Sequence, residues 1–282
     1  MAEKFLILGA SSFYGRNFAE CVERHGDAAE IPPVGWRLGD KLPPNSSKNI
    51  VNFASRSAVA ESWLDPLGWL AINTALTTFL ITQAMEQNCK RFVHVSTPES
   101  YGSTEGWVDE TYAAWKPSTP YAVSRAAADM MLLAYYRAYR FPAIITRTAN
   151  IYGHGQQDYR IIPKAFSEIR AGKRLPLHGG GGSRRSFIHV KDACEALYKV
   201  CKEGDAGQTY HISTERQVSI AELVGMIAKL CERRFEDCTE RAPDRLGKDE
   251  AYLLNSAKLR RMGWRDTISL ETGLEEYMAW KQ

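Results

Sequence analysis

The chain predicts an α/β fold built on a doubly wound parallel sheet, and 282 residues make either one large domain or a large domain with a smaller lobe. Three observations carry that expectation. A glycine-bearing turn, Gly9 to Gly15, joins a short apolar run to a helical pattern. Further short apolar runs alternate with helical stretches through the first half. A polar segment, Ser96 to Gly102, stands directly behind one of those runs. Short, wholly apolar runs read as strands buried on both faces, which is the condition of a parallel sheet covered by helices.

The elements follow in order. Residues 4–8 (Lys-Phe-Leu-Ile-Leu) form the first strand, and the helical pattern after the turn runs through Phe18, Cys21 and Val22 to Gly26. Strand, glycine turn and helix is the context a dinucleotide fingerprint needs. Gly9 permits the tight turn, Gly15 permits close helix packing, and amides at the helix start face a pyrophosphate. Ser12 stands where the middle glycine is usual, so the match is partial. Residues 28–31 read as a short second strand, but Pro32, Pro33, Gly35, Pro43 and Pro44 break up the next stretch, and a full βαβ unit hardly fits before the strand at 49–53. No acid stands at a convincing strand end there. Arg16 and Arg37 are candidate partners of a 2′-phosphate, which leaves NAD and NADP both open. An apolar helix from Leu67 to Met85, a strand at 91–95, a long helix from Tyr121 through Tyr139 and a strand beginning at Ile144 complete the half. Polar residues just past a strand's carboxyl end are where an open parallel sheet holds its ligand.

Composition narrows the function classes. The chain has 282 residues with 36 basic and 33 acidic side chains, a net charge of +3 too balanced for nucleic-acid binding. Mean hydropathy is -0.35 and no apolar run approaches the roughly 20 residues of a membrane span. The six cysteines show no C-x-x-C pair and no evident metal-ligand spacing, so no metal is expected and the thiols read as reduced. Met1 to Lys4 leads straight into the first strand, so a cytoplasmic location is expected.

Several motifs recur in a specific order: Asp65-Pro66 before the helix bearing Asn73, Ser96-Thr97 before Tyr101-Gly102, and Pro120-Tyr121. Arg147 to Gly153, Arg185 to Val190, Arg245 to Asp249 and Gly263-Trp264 complete the series. With the Gly9–Gly15 turn, they resemble the extended short-chain dehydrogenase/reductase family of nucleotide-sugar epimerases, dehydratases and 4-ketoreductases, over nearly the whole chain. The resemblance implies a Rossmann domain over 1–150 binding NAD or NADP. It implies that 151–282 mainly form a smaller C-terminal α/β lobe for a nucleotide-diphospho-sugar, with segments returning to the sheet. By position it assigns Gly9, Ser11, Ser12, Phe13, Tyr14, Gly15, Arg37, Ala54 and Asn73 to the cofactor. It assigns Asn150, His178, Arg185 and Arg245 to the substrate, the arginines as charged forks for a diphosphate. Leu67–Met85 and Tyr121–Tyr139 correspond to helices that pair in a homodimer, and no nucleic-acid or membrane partner is expected.

Thr97 matches the hydroxyl that holds the sugar at C4, and Tyr121 the acid/base. Arg125 replaces the lysine expected four residues after the tyrosine. Residues four apart share a helix face, so Arg125 is expected beneath the phenol, lowering its pKa from about 10. Related 4,6-dehydratases carry Asp-Glu after the threonine; this chain has Pro98-Glu99. Ordinary 4,6-elimination therefore lacks one acid, while Glu99 is left as a candidate base. The resulting expectation is hydride transfer at sugar C4, as 4-epimerase or 4-ketoreductase, with a Glu99-dependent dehydratase as alternative. A non-catalytic NAD(P) or nucleotide-sugar binder is a further alternative, because a flat guanidinium can misplace the ribose. His94 and His189 read as core or edge residues, and Gly179 to Gly182 as a loop over the substrate site.

Overall fold

The computed structural model describes residues 2–33, 40–43, 49–244, 246–247 and 249–280. Arg37 and Arg245, both candidate ligand-binding residues, lie outside them. Six strands form a parallel sheet in the order β11-β6-β4-β3-β1-β2: Lys4–Leu8 (β1), Ala28–Glu30 (β2), Asn49–Asn52 (β3), Arg91–Ser96 (β4), Ala143–Thr148 (β6) and Thr209–Ile212 (β11). Strand alternation sorts their side chains between two cores. Phe5 and Ile7 face α1 (Phe13–Arg24) and α6 (Val190–Glu203), together with Val51, Val93 and Ile144. Leu6 and Leu8 face the opposite layer with Ile50, Phe92 and Ile145, against Leu80, Ile81 and Leu132. The expected apolar runs are thus buried on both sides.

The helix expected from Leu67 to Met85 is interrupted. It runs as α2 (Pro66–Leu70), a π-helical turn (Ala71–Ala75) and α3 (Leu76–Glu86). A single π turn inside a helix widens the coil and commonly marks a functional region. Here it carries the fully buried Asn73. The helix α4 spans Pro120–Tyr139 and opens on a proline at its first position with Thr119 as cap, which accepts the Ala122 N–H at 3.1 Å.

After β6 the chain alternates between sheet and lobe. Asn150–Tyr152 (β7) pairs in parallel with Phe187–His189 (β10), and Leu175–His178 (β8) with Thr239–Ala242 (β13). Arg184–Arg185 (β9) pairs antiparallel with Val218–Ser219 (β12), and Trp107–Val108 (β5) pairs with Leu253–Leu254 (β14). Between them α6 packs on α1 and β11 completes the sheet beside β6. The lobe's own core joins Ile162 and Phe166 of α5 (Ile161–Arg170) to Leu223 and Ile227 of α7 (Ile220–Leu230). Ser219 and Glu222 form a capping box at the start of α7. Ser219→Ala is expected to lower stability by about 1 kcal/mol in urea titration. The glycine run is a tight 3-10 turn, Gly179–Gly181, whose third member abuts Ala221 of α7.

Candidate active site

The carboxyl ends of β1, β3 and β4 meet the start of α4 at one edge of the sheet. At β1, Gly9 takes φ +77°, and a Cβ there would stand 2.8 Å from the Ala54 amide nitrogen. A Cβ on Gly15 would meet the Gly9 carbonyl at 2.5 Å. Both glycines therefore do what their spacing foretold. Ser12 has an independent reason to be there. Its hydroxyl donates to the Gly9 carbonyl at 2.7 Å and accepts the Gly15 N–H at 3.1 Å, capping α1. The Phe13 and Tyr14 amides, in the helix's first turn, have no intrahelical acceptor and suit an anion. Gly9→Ala forces both a left-handed φ and a backbone clash; it is expected to abolish NAD(H) binding measured by fluorescence or to prevent folding.

Two residues assigned to the cofactor, Tyr14 and Asn73, commit their side chains to protein partners. The Tyr14 hydroxyl donates to the Ala193 carbonyl at 2.9 Å, inside the α1–α6 core. Asn73 accepts the Arg56 N–H at 2.8 Å, and its amide donates to the Arg56 carbonyl at 3.1 Å and to Ser124 Oγ at 2.9 Å. With that amide group spent, Asn73 braces the 55–57 loop against α4. Glu30, which no sequence pattern singles out, ends β2, the strand next to β1. That is where an acid can meet an adenosine ribose; Lys4 pairs with it at 3.3 Å.

Thr97 caps a 3-10 turn, Pro98–Tyr101, accepting the Glu99 N–H at 3.3 Å. Pro98 fills the first helical position, where a missing N–H is harmless. The start of α4 packs against this 3-10 turn, and Thr97 and Glu99 both act on the Tyr121 phenol, the hydroxyl lowering its pKa and the carboxylate raising it. Arg160, whose Nη2 donates to Ser57 Oγ at 3.2 Å, also acts on the phenol and was not singled out in the sequence. Its only sequence signal is a basic residue just before a helix.

The expectation of a lowered Tyr121 pKa is overturned. Burial pushes the phenol above its ordinary value and Glu99 adds to that; Arg125 and the Thr97 hydroxyl pull it back only in part. Arg125 does not sit simply beneath the phenol either. Its guanidinium is buried, donates to the Val95 carbonyl and reaches His94 Nε2 at 3.3 Å. The sheet backbone captures it because guanidinium is long and rich in donors.

His94 sits in a chain of buried polar groups. Asn52 Oδ1 accepts the Ala54 N–H at 3.0 Å, so its amide nitrogen is the atom facing His94 Nδ1 at 3.1 Å. That assigns Nδ1 as acceptor and puts the proton on Nε2. Nε2 faces Asp129 Oδ1 at 3.8 Å, and its approach to Arg125 is a contact between two donors. Burial, then the charges of Arg125 and Arg147, hold His94 well below its ordinary pKa, hence neutral. Asp129 Oδ2 accepts from Ser96 Oγ at 2.8 Å and from Arg147 Nη2 at 2.9 Å. The Arg147 guanidinium is also stacked over Tyr101 and Trp115, at 4.1 and 4.4 Å from the ring centroids. Ser96 is thus a structural member of the Ser-Thr pair.

On the lobe side, Asn150 Oδ1 accepts from the Tyr252 hydroxyl at 3.1 Å. Arg185 lies 4.1 Å over the Tyr252 ring and donates to the carbonyls of Arg184, Glu250 and Asp249 at 2.8, 2.9 and 2.7 Å. Those contacts anchor the 249–252 segment. His178 Nδ1 bonds the Pro243 carbonyl at 2.7 Å. A separate cavity of about 550 Å³ beside β11 is lined by Glu110, Trp115, Arg147 and Lys258 and by none of Thr97, Glu99 or Tyr121.

A model of the NAD dependent epimerase/dehydratase family matches residues 37–213. The dTDP-glucose 4,6-dehydratase of Streptomyces niveus is 35% identical over 234 residues, covering 82% of this chain and 69% of that protein. The dTDP-D-glucose 4,6-dehydratase of Mus musculus is 30% identical over 236 residues, covering 82% of this chain and 66% of the relative. The chain thus spans about two thirds of the length of these curated relatives. Among solved structures, DesIV, a dTDP-glucose 4,6-dehydratase from Streptomyces venezuelae with NAD and TYD bound, matches with a TM-score of 0.89. It is 27% identical, with 98% of this chain and 96% of that chain covered.

Proposed function

The chain belongs to the NAD dependent epimerase/dehydratase family, and we propose that it is an NAD(P)-dependent enzyme acting at C4 of a nucleotide-diphospho-sugar, as a 4-epimerase or 4-ketoreductase. The observation that carries this reading is the meeting of Thr97, Glu99 and Tyr121 with a buried proline at position 98. The nicotinamide supplies hydride acceptance and return. Thr97 orients the C4 hydroxyl, and the Tyr121 oxygen takes its proton as the carbonyl forms, or gives one back in the reverse direction. Gly9, Gly15, Ser12 and the first amides of α1 suit the pyrophosphate. Glu30 at the end of β2 favours NAD, whose ribose has a free 2′-hydroxyl, over NADP. Incubation with UDP-, dTDP-, GDP- and CDP-hexoses and their 4-keto forms, with each nicotinamide, tests the proposal. Turnover without loss of water is expected; no turnover on any of them refutes it.

A second reading, 4,6-dehydration with Glu99 as base, is favoured by the names of the relatives and by the nearness of Glu99 to Tyr121. Its mark in the same assay is a 4-keto product lighter by one water. Pro98 has no proton to give the leaving hydroxyl, which is why this reading ranks second.

In the free protein the phenol is held protonated at neutral pH. The base form grows with pH, so kcat/KM in the oxidative direction is expected to rise about tenfold per pH unit below the phenol's pKa. A flat profile contradicts Tyr121 as base. For the cation, Arg125→Lys is expected to keep activity within about tenfold, because charge near the phenol is the main requirement, whereas Arg125→Met loses about 10²-fold or more. A gain of orders of magnitude with lysine would mean that arginine disables catalysis and would support the non-catalytic binder.

Self-association belongs to the same proposal. Val123 and Met130, seven residues apart on α4, are exposed with Leu64 and Leu67, next to an apolar groove of about 390 Å³. Contiguous apolar surface of this kind marks an interface. Sedimentation should show a dimer that Met130→Glu with Val123→Glu converts to monomer.

A further inference from the structure

At the far end of α1 from the cleft, three side chains with different donor atoms converge between α1 and α6. Cys21 lies in the last turn of α1, His25 comes four residues later as its C-cap, and Glu195 stands on α6. His25 Nε2 is 2.7 Å from Glu195 Oε2, Cys21 Sγ is 3.4 Å from Glu195 Oε1, and the three ligand atoms all lie within 4.8 Å of one another. We propose that Cys21, His25 and Glu195 form a divalent-metal site of the zinc class that clips α1 to α6.

The donor set suits a borderline-soft ion: one thiolate, one imidazole and one carboxylate. Tetrahedral coordination at ordinary zinc bond lengths separates such donors by about 3.3 to 3.6 Å. Cys21 Sγ already stands at that spacing from Oε1, whereas the imidazole faces Oε2, so the carboxylate has to turn to present one oxygen to both. The imidazole–carboxylate pair has to open by about half an ångström, which two partly exposed side chains can do. Second-sphere packing is in place, since the His25 ring stacks on Tyr198 with centroids 4.1 Å apart and planes inclined by 8°. The site also sits at the negative end of the α1 dipole. His25 is on the surface, so the fourth position opens to solvent water.

Two costs are visible. Arg24 Nη2 lies 3.3 Å from Glu195 Oε1 and must swing away, which its exposure permits. The Cys21 thiol, beside Glu195 and Arg24, is buried and protonated and releases its proton to solvent when the metal binds. The cysteines showed no evident ligand spacing in the sequence because only the fold brings Glu195 from α6 beside Cys21 and His25.

Cobalt(II) is the probe. Full-length protein stripped with chelator and titrated with Co²⁺ is expected to gain tetrahedral ligand-field bands and a thiolate charge-transfer band, saturating at one equivalent, with both displaced by Zn²⁺. Zn²⁺ is expected to raise the Tm of the starting protein. His25→Ala and Glu195→Gln, both away from the core, should each weaken Co²⁺ binding at least tenfold and remove the Tm shift; Cys21→Ser should remove the charge-transfer band. No tetrahedral spectrum overturns the proposal, and so does a spectrum unchanged in both His25→Ala and Glu195→Gln. None of these readouts depends on sugar turnover, so they stand or fall apart from the proposed activity.

Discussion

Tyr121→Phe is expected to lower turnover by about 10²- to 10⁴-fold while leaving nicotinamide binding unchanged. Only the phenolic oxygen can carry the C4 proton in the proposed reaction, and a positioned acid/base contributes on that scale. At 1.36 kcal/mol per factor of ten the loss is about 3 to 5 kcal/mol of transition-state stabilisation. The ring itself fills a buried position at the start of α4, so phenylalanine preserves the packing. The comparison is steady-state kinetics on whichever sugar turns over, beside an NADH-fluorescence titration. Native turnover in the variant would remove Tyr121 from the chemistry. A variant that loses cofactor binding as well would show that its hydroxyl is structural.

Asp129→Ala should cost about 3 to 5 kcal/mol of folding stability, read by urea denaturation. The Asp129–Arg147 pair is almost wholly excluded from water, with side-chain exposures of 0% and 2%. Removing one member leaves the other's charge stranded in the interior. Ser96 Oγ loses its acceptor at the same moment. The guanidinium keeps its aromatic stack on Tyr101 and Trp115, which offsets a fraction of the loss. Replacing both partners, as in Asp129→Leu with Arg147→Met, is expected to restore most of the stability, because a buried pair can be exchanged for packed apolar groups at little cost. If the single variant is as stable as the parent, water reaches Arg147 and the network is not the closed unit described.

Much of the scaffold was legible in the residues. Runs such as Phe5-Leu6-Ile7-Leu8 announced strands buried on both faces. Gly9 and Gly15 announced a turn whose atoms leave no room for a side chain. The meeting of Thr97 and Tyr121 was legible too, since a strand end and a helix start are fixed by the sheet. What could not be read depends on where long polar side chains go once buried. Arg125 shares a helix face with Tyr121, yet a carbonyl on the neighbouring strand competes for its donors. Arg185 is likewise drawn to backbone carbonyls, and Asn73 to the 55–57 loop. The Asp129–Arg147 pair joins residues from a helix and a strand with no local pattern to betray it. Glu30 escaped notice because a three-residue strand carries too little periodicity to fix its end.

The route of the backbone sets the order in which the protein can be made. The edge strand β11 and the covering helix α6 are synthesised only after β7 to β10 of the lobe, and the Ala149 N–H waits for the Ile212 carbonyl. A nascent chain that has emerged only to residue 150 therefore exposes the open rim of β6 and the bare apolar side of α1. An unpaired rim beside a bare apolar layer is prone to aggregate. The two halves are consequently not separable modules for truncation or transplantation, and the ribosome must deliver residues beyond 212 before the six-stranded sheet can close.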